Sequence, residues 1–147
     1  MKIYFDMDGT IADFYATEDW LERLRKEDTY PYKVAKPLMR MNVLARRLNA
    51  LQKAGYKIGV ISWTSKNSSY LYHTQVEAVK RQWLKKHLAS VKFDEIKIVA
   101  YDTPKHSLGK GILFDDNEEI RKEWSAANAK NVAFDVDNIL GVLGILR

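Results

Sequence analysis

The sequence predicts an α/β protein, with a central, mainly parallel sheet of five short strands and helices on both faces. Two observations carry this. Apolar runs of strand length alternate with segments whose apolar residues recur every three or four positions, which implies right-handed β-α-β units. The polar residues suited to chemistry stand directly after apolar runs, where an open parallel sheet binds its ligands.

Each element has its own signal. The run KIYF (2–5) ends at Asp6. Over 17–25, Trp20, Leu21 and Leu24 fall at helical spacing, with Thr17 as the expected N-cap. Pro31 and Pro37 bracket a stretch expected to be irregular. Met41, Leu44, Leu48 and Leu51 mark an amphipathic helix that Gly55 stops. KIGVI (57–61) is a second strand, ending at Ser62. Val76, Val79, Trp83 and Leu84 mark a helix over 70–88. Strands follow at 96–100 and 111–114, the latter ending at Asp115. Asn117 is expected to cap the next helix, whose first turn carries Glu118 and Glu119 where negative charge suits the helix dipole. A fifth strand at 132–136 and a short helix from residue 138 complete the chain.

At 147 residues the chain fits one domain, 1–147, without repeat, low-complexity tract or linker. Its balance of 46% hydrophobic and 29% charged residues is that of a soluble globular protein. Every apolar run stops short of the ~18 residues a membrane span needs. The start lacks a signal peptide's charged and apolar regions, so a cytoplasmic protein is expected. Having no cysteine, the chain excludes disulfides, thiolate zinc sites and cysteine nucleophiles. The net charge of +5 favours anionic partners. Between Thr29 and Val76 there is no acidic residue, while Lys33, Lys36, Arg40, Arg46, Arg47, Lys53, Lys57 and Lys66 fall there. Most are expected to form a solvated basic face; a few would steer a phosphorylated substrate or contact a nucleic acid backbone.

Asp6 and Asp8 follow the first strand, Ser62 the second, and Asp115 and Asp116 the fourth. Separate stretches thus deliver four carboxylates and a hydroxyl to one edge of the molecule. Carboxylates so clustered repel one another and raise their own pKa values unless a cation neutralises them. A hard divalent ion such as magnesium suits carboxylates, a carbonyl, waters and a phosphate oxygen. A lone strand-end Asp more often caps a turn; DMDGT followed by FDD is harder to read that way.

These residues resemble the motifs of the haloacid dehalogenase superfamily. FDMDGT is similar to its first motif, Ser62 after GVI to its second, Lys105 in TPKHS to its third, and Asp115-Asp116 in ILFDD to its fourth. The resemblance implies a Rossmann-like three-layer sandwich and a phosphatase. Asp6 would attack phosphorus and become an aspartyl phosphate. Asp8 would protonate the leaving oxygen and then activate water. Gly9 and Thr10 would shape the turn, with Thr10 also placed at the substrate. Ser62 would donate to the phosphoryl oxygens, and Lys105 would offset the charge developing there. Magnesium would be held by Asp6, the Asp8 carbonyl and Asp115, while Asp116 either reaches the metal through water or orients Lys105. Trp63 and Thr64 are expected at the substrate too, although Thr64 and Ser65 also read as loop-shaping residues. Lys110 competes with Lys105 but lies before the fourth strand.

In that superfamily the segment after the first motif often carries a substrate-selecting cap. Here only residues 14–39 are available, a small helical insertion rich in aromatics: Phe14, Tyr15, Trp20, Tyr30 and Tyr32. DMDGTIADF and the short gap from Lys105 to Asp115 resemble the 5′-deoxyribonucleotidases of this superfamily, which implies a nucleoside monophosphate substrate. A phosphatase of nucleic acid ends is the alternative within the class, and a non-catalytic binder of nucleotide or protein the alternative outside it. A receiver domain would place its phosphorylated Asp after the third strand, where Tyr101-Asp102-Thr103-Pro104 stands instead. The oligomeric state is not legible.

Overall fold

The computed structural model describes residues 1–146. In chain order these form β1 (Lys2–Phe5), β2 (Ala12–Asp13), α1 (Trp20–Arg25), α2 (Tyr30–Val34), β3 (Lys36–Pro37), α3 (Met41–Lys53), β4 (Lys57–Trp63) and α4 (Tyr70–His87). Then come β5 (Glu95–Val99), β6 (Ile112–Phe114), α5 (Glu118–Ala127), β7 (Val132–Phe134) and α6 (Ile139–Ile145). Short 3-10 turns occupy Phe14–Ala16 and Lys105–Ser107.

The main sheet has five strands in the order β5-β4-β1-β6-β7, every pair parallel. From β1 the chain builds outward to β4 and β5, then returns to the other side of β1 for β6 and β7. The switch in direction falls between β1 and β6, which opens a crevice at their carboxyl ends.

Period-two alternation sorts the strand side chains onto two faces. Ile3, Phe5, Ile58, Val60, Ile112 and Phe114 face α3, α4 and α6 in the larger core. Tyr4, Ile61 and Leu113 face α5, meeting Ile120 and Trp124. The alternation runs to the end of β4, where Ser62 points towards α4 and Trp63 to the opposite face. That strand is two residues longer than the apolar pattern alone indicates.

α3 begins at Met41 and buries Leu44, Leu48 and Leu51, as the spacing requires. Its chain reverses at Gly55, whose φ of 102° costs glycine little. Asn117 caps α5 by accepting from the Ile120 amide at 3.1 Å, and Ser69 caps α4 by accepting from Tyr72 at 3.1 Å.

The insertion departs from its sequence reading. Thr17 closes a 3-10 turn instead of capping a helix, and α1 starts at Trp20 after Asp19 in the left-handed region. Pro31 sits in the first turn of α2, where its missing N–H would be unpaired anyway. Pro37 belongs to a two-stranded ribbon in which β3 runs antiparallel to β2. Phe14, Tyr32, Tyr72 and Val76 form a third cluster joining this insertion to α4. Three bonds strengthen that seam: Tyr32 to Ser65 at 2.5 Å, Glu27 to the Ser69 amide at 2.7 Å, and the Tyr72 hydroxyl to the Asp28 carbonyl at 2.8 Å.

Among the described residues no helix is long and apolar enough to cross a membrane. Seven of the eight cations between Thr29 and Val76 are exposed, Arg47 being half-buried, which fits the solvated basic face.

Candidate active site

β1 hands the chain to Asp6, and a tight loop returns it. The Thr10, Ile11 and Ala12 amides all donate to the Met7 carbonyl, at 3.1, 3.0 and 3.0 Å. Gly9 sits in this loop at φ 77°, and a Cβ there would run into the Asp116 carboxylate. Glycine is therefore needed twice over, for its backbone and for the carboxylate beside it. β6 delivers Asp115 and Asp116 next door, because β1 and β6 are neighbours in register.

One carboxylate oxygen each from Asp6, Asp115 and Asp116 lie within 4.8 Å of one another. Lys105, 3% exposed, donates to Asp6 at 3.0 Å and to Asp115 at 2.8 Å. Burial alone would lower the pKa of this ammonium, but the charges of Asp6 and Asp115 outweigh it and raise it. Burial, with the charge of Asp6 added, pushes Asp115 up to about 6, and Asp116 to about 7, where Asp115 adds its own charge. Such carboxyls are short of positive charge. The three oxygens suit a divalent cation by type and spacing, so Asp6, Asp115 and Asp116 fit a metal.

The Asp8 carboxylate lies outside this trio. Its Oδ2 accepts from Lys80 at 2.8 Å, and burial raises its pKa ahead of the opposing pull of Lys80. Lys80, in the middle of α4 and 1% exposed, also donates to the Ser62 hydroxyl at 2.8 Å and the Trp63 carbonyl at 2.7 Å.

A cavity of about 330 Å³ covers this edge. Asp6, Asp8, Lys105, Asp115 and Asp116 line it, with Tyr15, Trp20 and Tyr32 of the insertion on its margin and Trp63 and Tyr101 also contributing. Tyr15 meets Trp20 edge-on at a centroid separation of 5.1 Å, and Trp63 meets Tyr101 likewise at 5.0 Å. Trp63 is fixed by its indole N–H, which donates to the Thr103 carbonyl at 2.8 Å.

Most residues expected at the site from sequence therefore gather there; two stand differently. Ser62 is fully buried behind the cavity, its hydroxyl accepting from Lys80, while Thr64 and Ser65 line the cavity two and three residues on. Strand parity is the reason: Ser62 falls on the α4 face of β4. Thr64 is held by a 2.6 Å bond to His73. Thr10 also lies behind the lining, bonded to Asp6 at 3.2 Å and Asp116 at 3.4 Å. Asp116 is not a partner of Lys105, which leaves it with the carboxylate trio. Lys110 is exposed.

Lys80 is the residue that sequence reasoning missed. It lies four residues from both Val76 and Leu84, on the apolar stripe of α4, and that placement was the available signal.

No family model matches the sequence, and no curated protein matches it. Solved structures do. One is a D,D-heptose 1,7-bisphosphate phosphatase from B. bronchiseptica, complexed with magnesium and phosphate. It is 11% identical, with a TM-score of 0.57 over 97% of this chain and 98% of that one. The corresponding enzyme from Burkholderia thailandensis is 14% identical, with a TM-score of 0.50 over 89% of this chain and 74% of the other. At such identities the likeness speaks for architecture alone: this chain has the three-layer α/β fold of these two phosphatases.

Proposed function

We propose that the protein is a magnesium-dependent phosphatase that hydrolyses phosphomonoesters through an aspartyl phosphate on Asp6. The observation that carries this reading is the trio of Asp6, Asp115 and Asp116, the first two buried and bonded to Lys105, lining a cavity at the sheet's switch point. The same residues, in the order of its motifs, support membership of the haloacid dehalogenase superfamily. The neighbour crystallised with magnesium and phosphate shares the fold and supports the choice of metal.

In this mechanism an Asp6 carboxylate oxygen attacks phosphorus, and the ester P–O bond breaks as the new bond forms. The leaving oxygen takes a proton from Asp8 and departs as the alcohol. Water then attacks the phosphoryl group, giving its proton to Asp8, and inorganic phosphate leaves as Asp6 is regenerated. Lys105 offsets negative charge on Asp6 and the transferring group throughout. Magnesium held by Asp6, Asp115, Asp116 and the Asp8 carbonyl would neutralise the phosphate and let an anionic nucleophile approach it. Thr64 and Ser65, which line the cavity, take the phosphoryl-binding role first expected of Ser62.

The substrate we favour is a nucleoside monophosphate. Its planar base suits a cavity with Tyr15 and Trp20 from the insertion and the Trp63–Tyr101 pair. In this reading residues 14–39 act as a small substrate-selecting wall. A sugar phosphate is the second reading, because both named neighbours act on a heptose bisphosphate.

The test is phosphate release with magnesium from nucleoside 5′- and 3′-monophosphates, sugar phosphates and 3′-phosphorylated oligonucleotides. Release from the 5′-monophosphates, abolished by EDTA and by Asp6→Asn, is the expected result. Preference for a sugar phosphate or an oligonucleotide end would overturn the nucleotide assignment. No release from any ester would leave a binding protein.

A further inference from the structure

We infer that Lys80 is a positioning residue for the general acid, holding the Asp8 carboxylate in the orientation from which it serves the leaving oxygen. The inference rests on the phosphatase reading above but concerns a residue that reading does not use. The three bonds of Lys80 exhaust the donors of an ammonium, and they tie together three separate pieces of the site. One goes to Asp8 in the loop after β1; the other two go to Ser62 and Trp63 at the end of β4. The Tyr32 ring, with its centroid 5.0 Å from Nζ, packs against the same ammonium. A lysine so buried and so fully bonded has one rotamer available, and it fixes whatever it touches.

What it touches is unequal. Ser62 and the Trp63 carbonyl are neutral groups, the first of them behind the cavity, whereas Asp8 is a carboxylate that lines it. With Oδ2 clamped, the remaining carboxylate oxygen is the one left to exchange a proton with an ester oxygen or a water. A proton donor displaced by even ~1 Å loses on the order of a hundredfold in rate, so the clamp has catalytic weight beyond its part in packing. Lys105 does not substitute for it, being engaged with Asp6 and Asp115.

A purely structural brace and a positioning residue differ in how their loss depends on the leaving group. p-Nitrophenyl phosphate departs as a stable anion and needs no proton, whereas a nucleoside 5′-monophosphate leaves as an alkoxide unless protonated. In Lys80→Met, kcat for the nucleotide should fall ~100-fold with KM within ~3-fold, while the burst of p-nitrophenolate keeps its rate within ~5-fold. Equal losses on both esters, or a rise in KM alone, would overturn the inference. Stranding the Asp8 charge threatens the fold of that variant, so the double variant Asp8→Asn/Lys80→Met is compared with Asp8→Asn. If Lys80 acts through Asp8, adding Lys80→Met slows the nucleotide reaction by no more than ~3-fold, whereas the full loss repeated in that background refutes the mechanism. Wild-type protein inert towards both esters would remove the phosphatase reading itself, and this inference with it.

Discussion

Two lysines serve the same loop in different ways. Lys105 comes from a 3-10 turn between β5 and β6 and faces two carboxylates, Asp6 and Asp115. Lys80 comes from mid-helix and faces one carboxylate, Asp8, with a hydroxyl and a carbonyl completing its shell. In the proposed mechanism the first therefore manages charge and the second manages direction. A cation between two anions lowers the repulsion at a nucleophile; a cation between an anion and two dipoles behaves as a bracket. Together they leave the site short of positive charge, since four carboxylates face two ammonium groups, which is the deficit a divalent cation fills.

That division of labour can be broken experimentally. The largest effect belongs to the proposed nucleophile: Asp6→Asn should lower kcat by ~10⁴-fold or more while the circular dichroism spectrum and Tm stay close to wild type. Retained turnover in purified protein would remove the nucleophile. Next, Lys105→Met should cost ~10²–10³-fold in kcat on aryl and alkyl phosphates alike, because charge develops at phosphorus with either leaving group. A loss confined to alkyl esters would mean that the two lysines share one job.

The charge deficit gives a third, smaller effect. Asp115 and Asp116 titrate higher in the folded chain, about 6 and about 7, than the ordinary 3.8 of an unfolded carboxyl. Between those values the folded state binds more protons than the unfolded one, so metal-free stability should fall as pH rises from about 4 to about 7. Magnesium, competing with those protons, should raise Tm more at pH 8 than at pH 5, as differential scanning fluorimetry would report. An equal shift at both would detach the metal from these carboxylates. The smallest effect is at Ser62. Ser62→Ala deprives Lys80 of one acceptor and should cost ~1 kcal/mol of stability with kcat changed less than ~3-fold. A loss of kcat above tenfold would return Ser62 to the phosphoryl group.

The contrast also explains what the sequence could say. Asp6 and Asp115, with Asp8 and Asp116 close behind them, were legible because they stand at the ends of apolar runs, and the end of a parallel strand is a place as well as a pattern. Lys105 was legible from its position in the motif order. Lys80 was hidden by company: α4 also carries Arg81, Lys85 and Lys86, and one buried cation among surface cations is marked only by its spacing from Val76 and Leu84. Parity places Ser62 behind the cavity. The apolar run suggested a strand ending at Ile61, whereas β4 continues to Trp63, so the cavity-facing hydroxyls belong to Thr64 and Ser65. In the insertion, the left-handed backbone at Asp19 and the proline inside α2 defeat rules written for regular helices.

The stitching of the insertion to α4 has a kinetic consequence. With Tyr32 tied to Ser65, Glu27 to Ser69 and Tyr72 to the Asp28 backbone, residues 14–39 make a wall and not a door. In the proposed phosphatase, turnover would then wait on no opening motion, and product would leave at the pace of diffusion. In the proposed mechanism a phosphorylated Asp6 behind a fixed mouth would stay open to bulk solvent. The destination of its phosphoryl group would then be settled by abundance, and water outnumbers every dissolved alcohol.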